Sequence, residues 1–103
     1  MATPRSRFRV LTDGRLLGYH VTGLAESIGY LQRLAVHPEH FGNGYGTALV
    51  TDSLQWVGRR GCTMLYVNTQ ETNSRALSLY LRLGFVLEPT GLAVLQLDLG
   101  EPS

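Results

Sequence analysis

Three glycines at alternate positions, Gly42, Gly44 and Gly46, are the residues of this sequence whose spacing most directly suggests chemistry. They lie in the segment Phe41 to Gly46, between an apolar run and an amphipathic stretch. Glycine admits left-handed backbone angles and lets a ligand approach without a Cβ in the way. The N–H groups of such a turn can point into one concavity, and a helix that begins behind it adds partial positive charge. The segment therefore predicts a site for the phosphates of a nucleotide-type cofactor, against the alternative of a plain tight turn.

Two familiar phosphate-binding motifs do not fit the spacing of these glycines. A Walker loop continues into Gly-Lys-Ser/Thr, and this chain has no lysine. The dinucleotide fingerprint needs Gly-x-Gly-x-x-Gly and an acidic residue on the next strand. Here the glycines are spaced by two and two, and the next predicted strand ends in Val67 and Asn68. The turn is therefore neither of these motifs.

A second group of polar and small residues lies on a predicted helix from Ser74 to Leu83. Asn73, Ala76 and Tyr80 are three and four residues apart, and this spacing puts them on one helix face. This face would then present a ligand with the amide of Asn73, the space left by the small side chain of Ala76, and the hydroxyl of Tyr80. The alternative is that Asn73 only caps the helix and Tyr80 is an ordinary half-buried aromatic residue.

The elements that must position these residues follow from the hydrophobic periodicity of the chain. They are strands at Phe8–Thr12, Leu16–Thr22 and Ile28–Val36, a helix at Gly44–Arg60, a strand at Met64–Asn68, a helix at Ser74–Leu83, and strands at Phe85–Leu87 and Leu92–Leu99. The order β-β-β-α-β-α-β-β predicts a mixed α/β sheet with antiparallel hairpins at each end and one right-handed parallel crossover.

Two finer predictions concern the third strand and the connection before it. Alternation in the third strand puts Ile28, Tyr30, Leu34 and Val36 on one face. Residues Gly23 to Glu26 are expected to form a loop between the second and third strands.

The composition bounds the class of protein. The chain has 103 residues, 44% of them apolar, and a formal net charge of +1, which fits one small globular domain. No apolar run approaches the ~20 residues of a membrane helix, and no basic stripe typical of nucleic-acid-binding proteins is present. The single cysteine, Cys62, excludes an internal disulfide and a cysteine-ligated zinc site. The N-terminus does not resemble a secretory signal, so the sequence predicts a cytoplasmic protein without a membrane or nucleic-acid partner.

The whole set of motifs resembles the GNAT superfamily of acetyl-CoA-dependent N-acetyltransferases. The matching residues are Leu34-Ala-Val-His-Pro-Glu39, Gly42-Asn-Gly-Tyr-Gly-Thr-Ala-Leu49, Asn73, Ala76, Leu79-Tyr80 and Leu83-Gly84-Phe85. The match extends from about Gly29 to Leu99. The resemblance implies the GNAT acyltransferase fold lacking its first strand and helices, as one domain over residues 1–103. Within it, residues 1–7 would be loose and residues 29–85 would be the acetyl-CoA-binding core.

The resemblance also implies a role for each matching position. Backbone groups of Leu34 and Val36 would bind the pantetheine arm, because the strands of this family splay apart there. Asn73 would touch the pantetheine, and Tyr80 would face the thioester sulfur as the catalytic residue. The backbone N–H groups that would hold the pyrophosphate belong to Gly42, Asn43, Gly44, Tyr45, Gly46 and Thr47. Acetyl-CoA would be the co-substrate, and no metal is required.

Two departures from the family pattern limit this expectation. The glycine turn opens with Phe41, where the family usually has arginine or glutamine. In addition, only seven residues precede Phe8, where the family usually has a further strand and two helices. Those elements would cover the sheet and shape the acceptor pocket. We therefore expect self-association or a partner chain that covers the sheet. The function implied is transfer of an acetyl group to a primary amine; the alternatives are a non-catalytic acyl-CoA-binding or structural module, or a C-terminal fragment of a longer or tandem acetyltransferase.

The sequence does not assign a general base or the acceptor amine. By residue type the candidates for the base are Glu26, Glu39 and the three histidines, of which His37 and His40 are expected to be solvated turn residues. The facing of His20 on its strand is open. Selectivity for the acceptor is expected in the loop Gly23–Glu26 and in the helices absent from this chain.

Overall fold

A computed structural model describes residues 5–68, 74–87 and 94–100, and they form a six-stranded sheet with two helices. The elements are β1 (Ser6–Thr12), β2 (Leu16–Ala25), β3 (Ile28–Val36), a short 3-10 helix (Pro38–His40), α1 (Tyr45–Arg59), β4 (Met64–Asn68), α2 (Ser74–Arg82), β5 (Val86–Leu87) and β6 (Val94–Asp98). This order confirms the predicted one. Within the described residues, no helix is long and apolar enough to cross a membrane.

The strands lie in the order β1-β2-β3-β4-β6-β5. Strands β3 and β4 pair in parallel, and every other pair recorded for the described strands is antiparallel. A parallel pair needs a crossover connection, and α1 supplies it. The predicted mixed α/β sheet with one parallel crossover is confirmed.

Both helices pack on the same face of the sheet, which we call the helix face. A Cβ added at Gly29 of β3 would lie 2.6 Å from Val57 Cγ1 of α1, so the helix touches the strand backbone there. The first turn of α1 is equally close to α2, because a Cβ at Gly46 would lie 3.0 Å from Leu79 Cδ2. The buried core between these layers comprises Leu31, Val50, Trp56, Val57, Cys62, Leu65, Val67, Tyr80, Phe85 and Leu95.

The opposite face, which we call the open face, carries aromatic and aliphatic side chains, and no described helix lies on it. Phe8 is 65% exposed, and Val10 and Tyr30 are also exposed. Tyr30 stacks on Tyr66 of the neighbouring strand, with the ring centroids 5.8 Å apart. An exposed apolar face of this kind marks an interaction surface in most soluble proteins.

A β-bulge in β3 makes the predicted facing of that strand wrong. Thr22 of β2 pairs with Leu31, but the adjacent Val21 pairs with Arg33, so Gln32 is an extra residue. The extra residue shifts the alternation by one position. Leu31 and Leu34 consequently lie on the helix face, whereas Ile28 and Tyr30 lie on the open face. A strict period of two cannot anticipate this shift.

The connection between β2 and β3 is also shorter than predicted. Residues Gly23 to Ala25 belong to β2, which pairs with β3 as far as Ala25 opposite Ile28. The turn is left to Glu26 and Ser27, and Glu26 takes a left-handed φ of 57°. The chain thus forms a tight hairpin where a loop was expected. At the other end of the sheet, β1 begins at Ser6, two residues earlier than predicted.

Candidate active site between strands β3 and β4

The parallel strands β3 and β4 separate near the middle of β3. Their pairing runs from Ile28 opposite Met64 to Leu31 opposite Val67. Beyond that point β3 continues to Val36, whereas Asn68 ends β4 and pairs with β6. Among the described residues, no strand therefore pairs with residues 32–36 on the β4 side. This opening, which we call the gap, lies directly before the glycine turn.

Backbone groups of two predicted site residues face this gap. The N–H of His37 donates to the carbonyl oxygen of Leu17 at 2.8 Å, so it points toward β2. N–H groups of successive residues in a strand point to opposite sides. Ala35 therefore also faces β2, whereas the N–H and C=O groups of Leu34 and Val36 point away from β2 into the gap. They are available to a ligand that lies along the strand.

The glycine turn has the left-handed backbone that its sequence indicates. Gly42 and Gly44 have φ values of 86° and 81°. An added Cβ would meet nothing within 4 Å at either position, so glycine is required there by the backbone angle and not by crowding. Gly46 differs, because it lies in α1 at an ordinary φ and is close to Leu79. It permits the two helices to approach each other.

The start of α1 presents unpaired N–H groups to the turn. Gly44 is the N-cap and makes no side-chain cap hydrogen bond. The N–H of Ala48 donates to the carbonyl of Gly44 at 3.0 Å, which leaves the N–H groups of Tyr45, Gly46 and Thr47 without an intrahelical acceptor. Uncapped N–H groups and the positive end of the helix dipole favour an anion at this place.

Side chains before and within the turn form hydrogen bonds to the backbone of this segment. The Nδ1 atom of His37 accepts a hydrogen bond from the N–H of Glu39 at 3.2 Å. The amide of Asn43 donates to the carbonyl of His40 at 3.2 Å. Asn43 therefore offers the gap only its backbone. His37 and Glu39 are exposed, and His40 is half-buried.

Phe41, the residue that departs from the family pattern, carries a cation on its ring. The guanidinium carbon of Arg75 lies 4.3 Å from the ring centroid of Phe41. Arg75 belongs to the first turn of α2, 34 positions further along the chain. Nothing in the local sequence indicates this contact, which depends on the packing of α2 against α1.

Tyr80 lies in α2 and is buried, with only 3% of its surface exposed. Its ring packs against Phe85, with the centroids 5.4 Å apart. Burial raises the pKa of the Tyr80 hydroxyl to about 12, because the charged form loses hydration. Tyr80 thus keeps its proton at any physiological pH. Asn73, which was predicted to share its helix face, lies outside the described residues.

A chain of buried and partly buried polar side chains joins the sheet to α1, and the sequence analysis did not predict it. His20 Nε2 is 2.6 Å from Asp52 Oδ2, and His20 Nδ1 is 3.0 Å from the hydroxyl of Thr22. That hydroxyl is 2.6 Å from the hydroxyl of Ser53. Asp52 also accepts two hydrogen bonds from the Arg7 guanidinium, at 2.9 and 3.1 Å. We call these five residues the polar cluster.

The polar cluster decides the position of His20, which the sequence left open. The His20 side chain is fully buried, faces α1 and has a partner on each ring nitrogen. It is therefore closed to an acceptor and is not the general base. The hydrogen bonds from Arg7, followed by that from His20, outweigh burial and lower the pKa of Asp52 to about 2. The sequence did contain a signal for this cluster. His20 and Thr22 are polar residues at alternate positions of β2, and Asp52 and Ser53 are polar neighbours in α1.

The turn at Glu26 is also remote from the gap. Glu26 lies two positions before Ile28, the first residue of β3, and Leu34, whose backbone faces the gap, lies six positions after Ile28. A strand rises ~3.3 Å per residue, so the two places are ~20 Å apart. The expectation that this connection shapes acceptor selectivity, or that Glu26 is the base, is not supported. No group of three or more metal-ligating side chains occurs among the described residues.

Comparison with known proteins assigns the family that this architecture represents. Residues 2–85 match the family described as the acetyltransferase (GNAT) family. The chain belongs to the GNAT family of acetyltransferases. The resemblance from which the site residues were predicted is confirmed.

Sequence relatives are considerably longer than this chain. The mycothiol acetyltransferase of Streptomyces avermitilis is 39% identical over 93 residues, which cover 86% of this chain and 30% of that protein. A relative of the same name from Streptomyces coelicolor is 37% identical, again over 93 residues and 29% of its length. The chain thus spans about a third of the length of these curated relatives.

Solved structures confirm the fold. The PaiA N-acetyltransferase from Thermoplasma acidophilum, solved in complex with coenzyme A, superposes with a TM-score of 0.84 at 21% identity. That match covers 91% of this chain and 61% of the other. The ribosomal-protein-S18-alanine N-acetyltransferase from Escherichia coli gives a TM-score of 0.81 at 20% identity, over 99% and 74% of the two chains.

Proposed function

We propose that this chain is the acetyl-CoA-binding core of an N-acetyltransferase that transfers an acetyl group to a primary amine. The observation that carries the proposal is the gap beside β3, where the backbone groups of Leu34 and Val36 face an opening that leads to the uncapped start of α1. A long ligand with a phosphate end and an amide-rich arm matches this arrangement. Acetyl-CoA is such a ligand.

The residues present fit the two ends of acetyl-CoA. N–H groups from Gly42 to Thr47 would hold the pyrophosphate, since the left-handed glycines and the helix start leave them unpaired. The backbone of Leu34 and Val36 would pair with the amides of the pantetheine arm, as a neighbouring strand would. We also propose that Asn73 contacts the pantetheine arm.

We also assign the chemistry of acetyl transfer to groups of this chain. When acetyl-CoA is bound, it supplies the thioester that the amine attacks. An N–H of β3 facing the gap would stabilise the negative charge that develops on the carbonyl oxygen. Tyr80, with its pKa raised to about 12, would donate a hydrogen bond to the departing sulfur. A thiol titrates near ~8.5, so Tyr80 would stabilise the thiolate without losing its own proton.

The side from which the amine approaches follows from the packing. Both helices fill one side of the sheet, so the acceptor would enter from the open face. The stacked rings of Tyr30 and Tyr66 lie there, one residue before β3 and β4 separate. They would form the floor of the acceptor site.

Two observations favour alternatives in which this chain alone is not a complete enzyme. Tyr80 is buried in the core, as a purely structural tyrosine would be, which favours a non-catalytic acyl-CoA-binding module. The relatives are about three times longer than the matched segment, which favours the alternative that the chain is a piece of a longer or tandem acetyltransferase.

Two measurements test the proposal in sequence. Thermal unfolding with increasing acetyl-CoA should show a rise in stability, which reaches ~2.7 kcal/mol at a hundred times the dissociation constant. Release of free thiol in the presence of a panel of primary amines should then show turnover. If millimolar acetyl-CoA causes no shift, both ligand-binding functions are wrong. If acetyl-CoA binds but no amine is acetylated, the non-catalytic module is the better description.

A further inference from the structure

The contact between Phe41 and Arg75 places a cationic side chain at the glycine turn. Phe41 is 41% exposed, and the guanidinium of Arg75 lies over its ring. Arg75 is itself exposed. No carboxylate within the described ranges is in ion-pair contact with it. The cation is therefore held by an aromatic ring, and among the residues that the structure describes none provides it with a counter-ion.

The packing of the helices aims Arg75 at the turn. Leu79 of α2 contacts the first turn of α1 at Gly46. Arg75 lies four residues before Leu79, so it is on the same face of α2, one turn nearer the helix start. The start of α2 and the start of α1 thus approach the same turn.

The charges around this place favour an anion. Neither α1 nor α2 has an acidic residue in its first turn. A cation such as Arg75 in a first turn is opposed by the helix dipole, and within residues 5–68 and 74–87 no acidic side chain pairs with it to offset the effect. Glu39 is the acidic residue of the preceding segment, and its backbone N–H is bound to His37. An anion between the two helix starts would relieve this excess of positive charge.

We propose that Arg75, held on the ring of Phe41, binds a phosphate of acetyl-CoA at the glycine turn. This inference rests on the proposed function. A guanidinium that stacks on a ring by its flat side keeps the N–H donors at its edge free for a phosphate. The family position that usually carries arginine or glutamine is thus replaced by a pair, in which residue 41 supplies the platform and residue 75 supplies the charge.

The test is the dissociation constant of acetyl-CoA, measured by titration calorimetry for a matched set of variants. Arg75→Ala should weaken acetyl-CoA binding about tenfold to a hundredfold, the range for a lost charge-assisted hydrogen bond. Arg82→Ala, on the last turn of the same helix, should change it less than about twofold. S-acetylpantetheine, which lacks the phosphates at the turn, should bind the wild-type and Arg75→Ala proteins equally.

A rescue variant separates the proposed pair from a general effect of charge. Phe41→Arg introduced into Arg75→Ala should recover most of the affinity for acetyl-CoA, because it returns a guanidinium to residue 41. The inference is wrong if Arg75→Ala binds acetyl-CoA as tightly as wild type. It is also wrong if Arg75→Ala loses as much affinity for S-acetylpantetheine, since Arg75 would then support the fold and not the phosphates.

Inorganic pyrophosphate distinguishes failure of this inference from failure of the proposed function. Acetyl-CoA binding that does not depend on Arg75 overturns the inference and leaves the function standing. Binding of pyrophosphate that depends on Arg75, without any binding of acetyl-CoA, overturns the function and supports an anion site at Arg75. Binding of neither ligand overturns both.

Discussion

Asp52 shows how a single residue can couple the sheet to the helix behind the glycine turn. Its carboxylate binds Arg7 of β1 and His20 of β2 while it belongs to α1. The three elements are therefore joined at one side chain, two turns after the start of α1. Burial of apolar side chains is non-directional. The polar cluster adds hydrogen bonds, which are directional, to the contact between the sheet and α1.

Asp52 should make the protein sensitive to acid. Its folded pKa of about 2 lies below the usual value of 3.8, so its contribution to stability is complete above pH ~4 and is lost as the pH falls toward 2. We expect about 2 kcal/mol, the equivalent of a shift of nearly two pKa units. Urea unfolding at a series of pH values should show this loss in wild type and a flatter profile in Asp52→Asn. A slope that is the same in both proteins would contradict the prediction.

Tyr80 should act on catalysis through a hydrogen bond and on stability at high pH. Tyr80→Phe should lower kcat about tenfold or more and leave the KM for acetyl-CoA nearly unchanged, because the hydrogen bond forms as the thiolate leaves.

The folded pKa of Tyr80, about 12, exceeds the usual 10.0, so the stability from this group is complete below pH 10 and is lost between pH 10 and 12. Unfolding of the Tyr80→Phe variant across that range should show a smaller loss.

At the scale of elements, the bulge in β3 determines which side chains reach which layer. The extra residue at Gln32 lets Leu31 and Leu34 both face the helices, and it comes directly after Leu31, the last residue of β3 that pairs with β4. Bulges bend a strand and change its pairing. The gap and the bulge are therefore parts of one local distortion, which turns the backbone of Leu34 and Val36 toward the ligand side.

The start of α1 provides a matched pair of glycines for a stability test. Gly44→Ala should destabilise the protein by ~1–2 kcal/mol, because an L-residue is strained at a φ of 81°. Gly46→Ala should be nearly neutral, since the gain in helix propensity, up to ~1 kcal/mol, offsets the close contact with Leu79 at 3.0 Å. Denaturant midpoints of the two variants would measure the difference. Equal destabilisation would contradict the prediction, because the strain at the φ of Gly44 would then not exceed the effect of crowding at Gly46.

At the scale of the whole molecule, the described part of the chain has two layers, a sheet and a pair of helices, and no described element covers the other face of the sheet. The helices shield one face of the sheet, and the other exposes Phe8, Val10 and Tyr30. Burial of apolar area contributes ~25 cal/mol per Å², so contact with a second surface is favourable. The face extends from the edge strand β1 to the mouth of the gap.

We expect the protein to self-associate through the β1 and β2 part of the open face. Sedimentation at tens of micromolar should show dimers or larger species for wild type. A Phe8→Ser, Val10→Thr double variant should shift the equilibrium toward monomer, because it removes two exposed apolar side chains from this face. Leu81→Ser, an exposed residue on α2, should leave the association unchanged and serves as the control. A wild-type monomer under these conditions would rule out self-association.

The sequence by itself determined the elements, their order and the glycine turn. These depend on local properties: the period of hydrophobic residues, the left-handed angles that glycine allows, and the residues that cap or end a helix. It also determined the family, since the motifs occur in order along one chain. Tertiary structure decided what depends on contacts between distant residues: Phe41 under Arg75, His20 against Asp52, and the opening beside Leu34. These arise because the sheet, the bulge and the helices must pack together, and no local period specifies which distant side chains then meet.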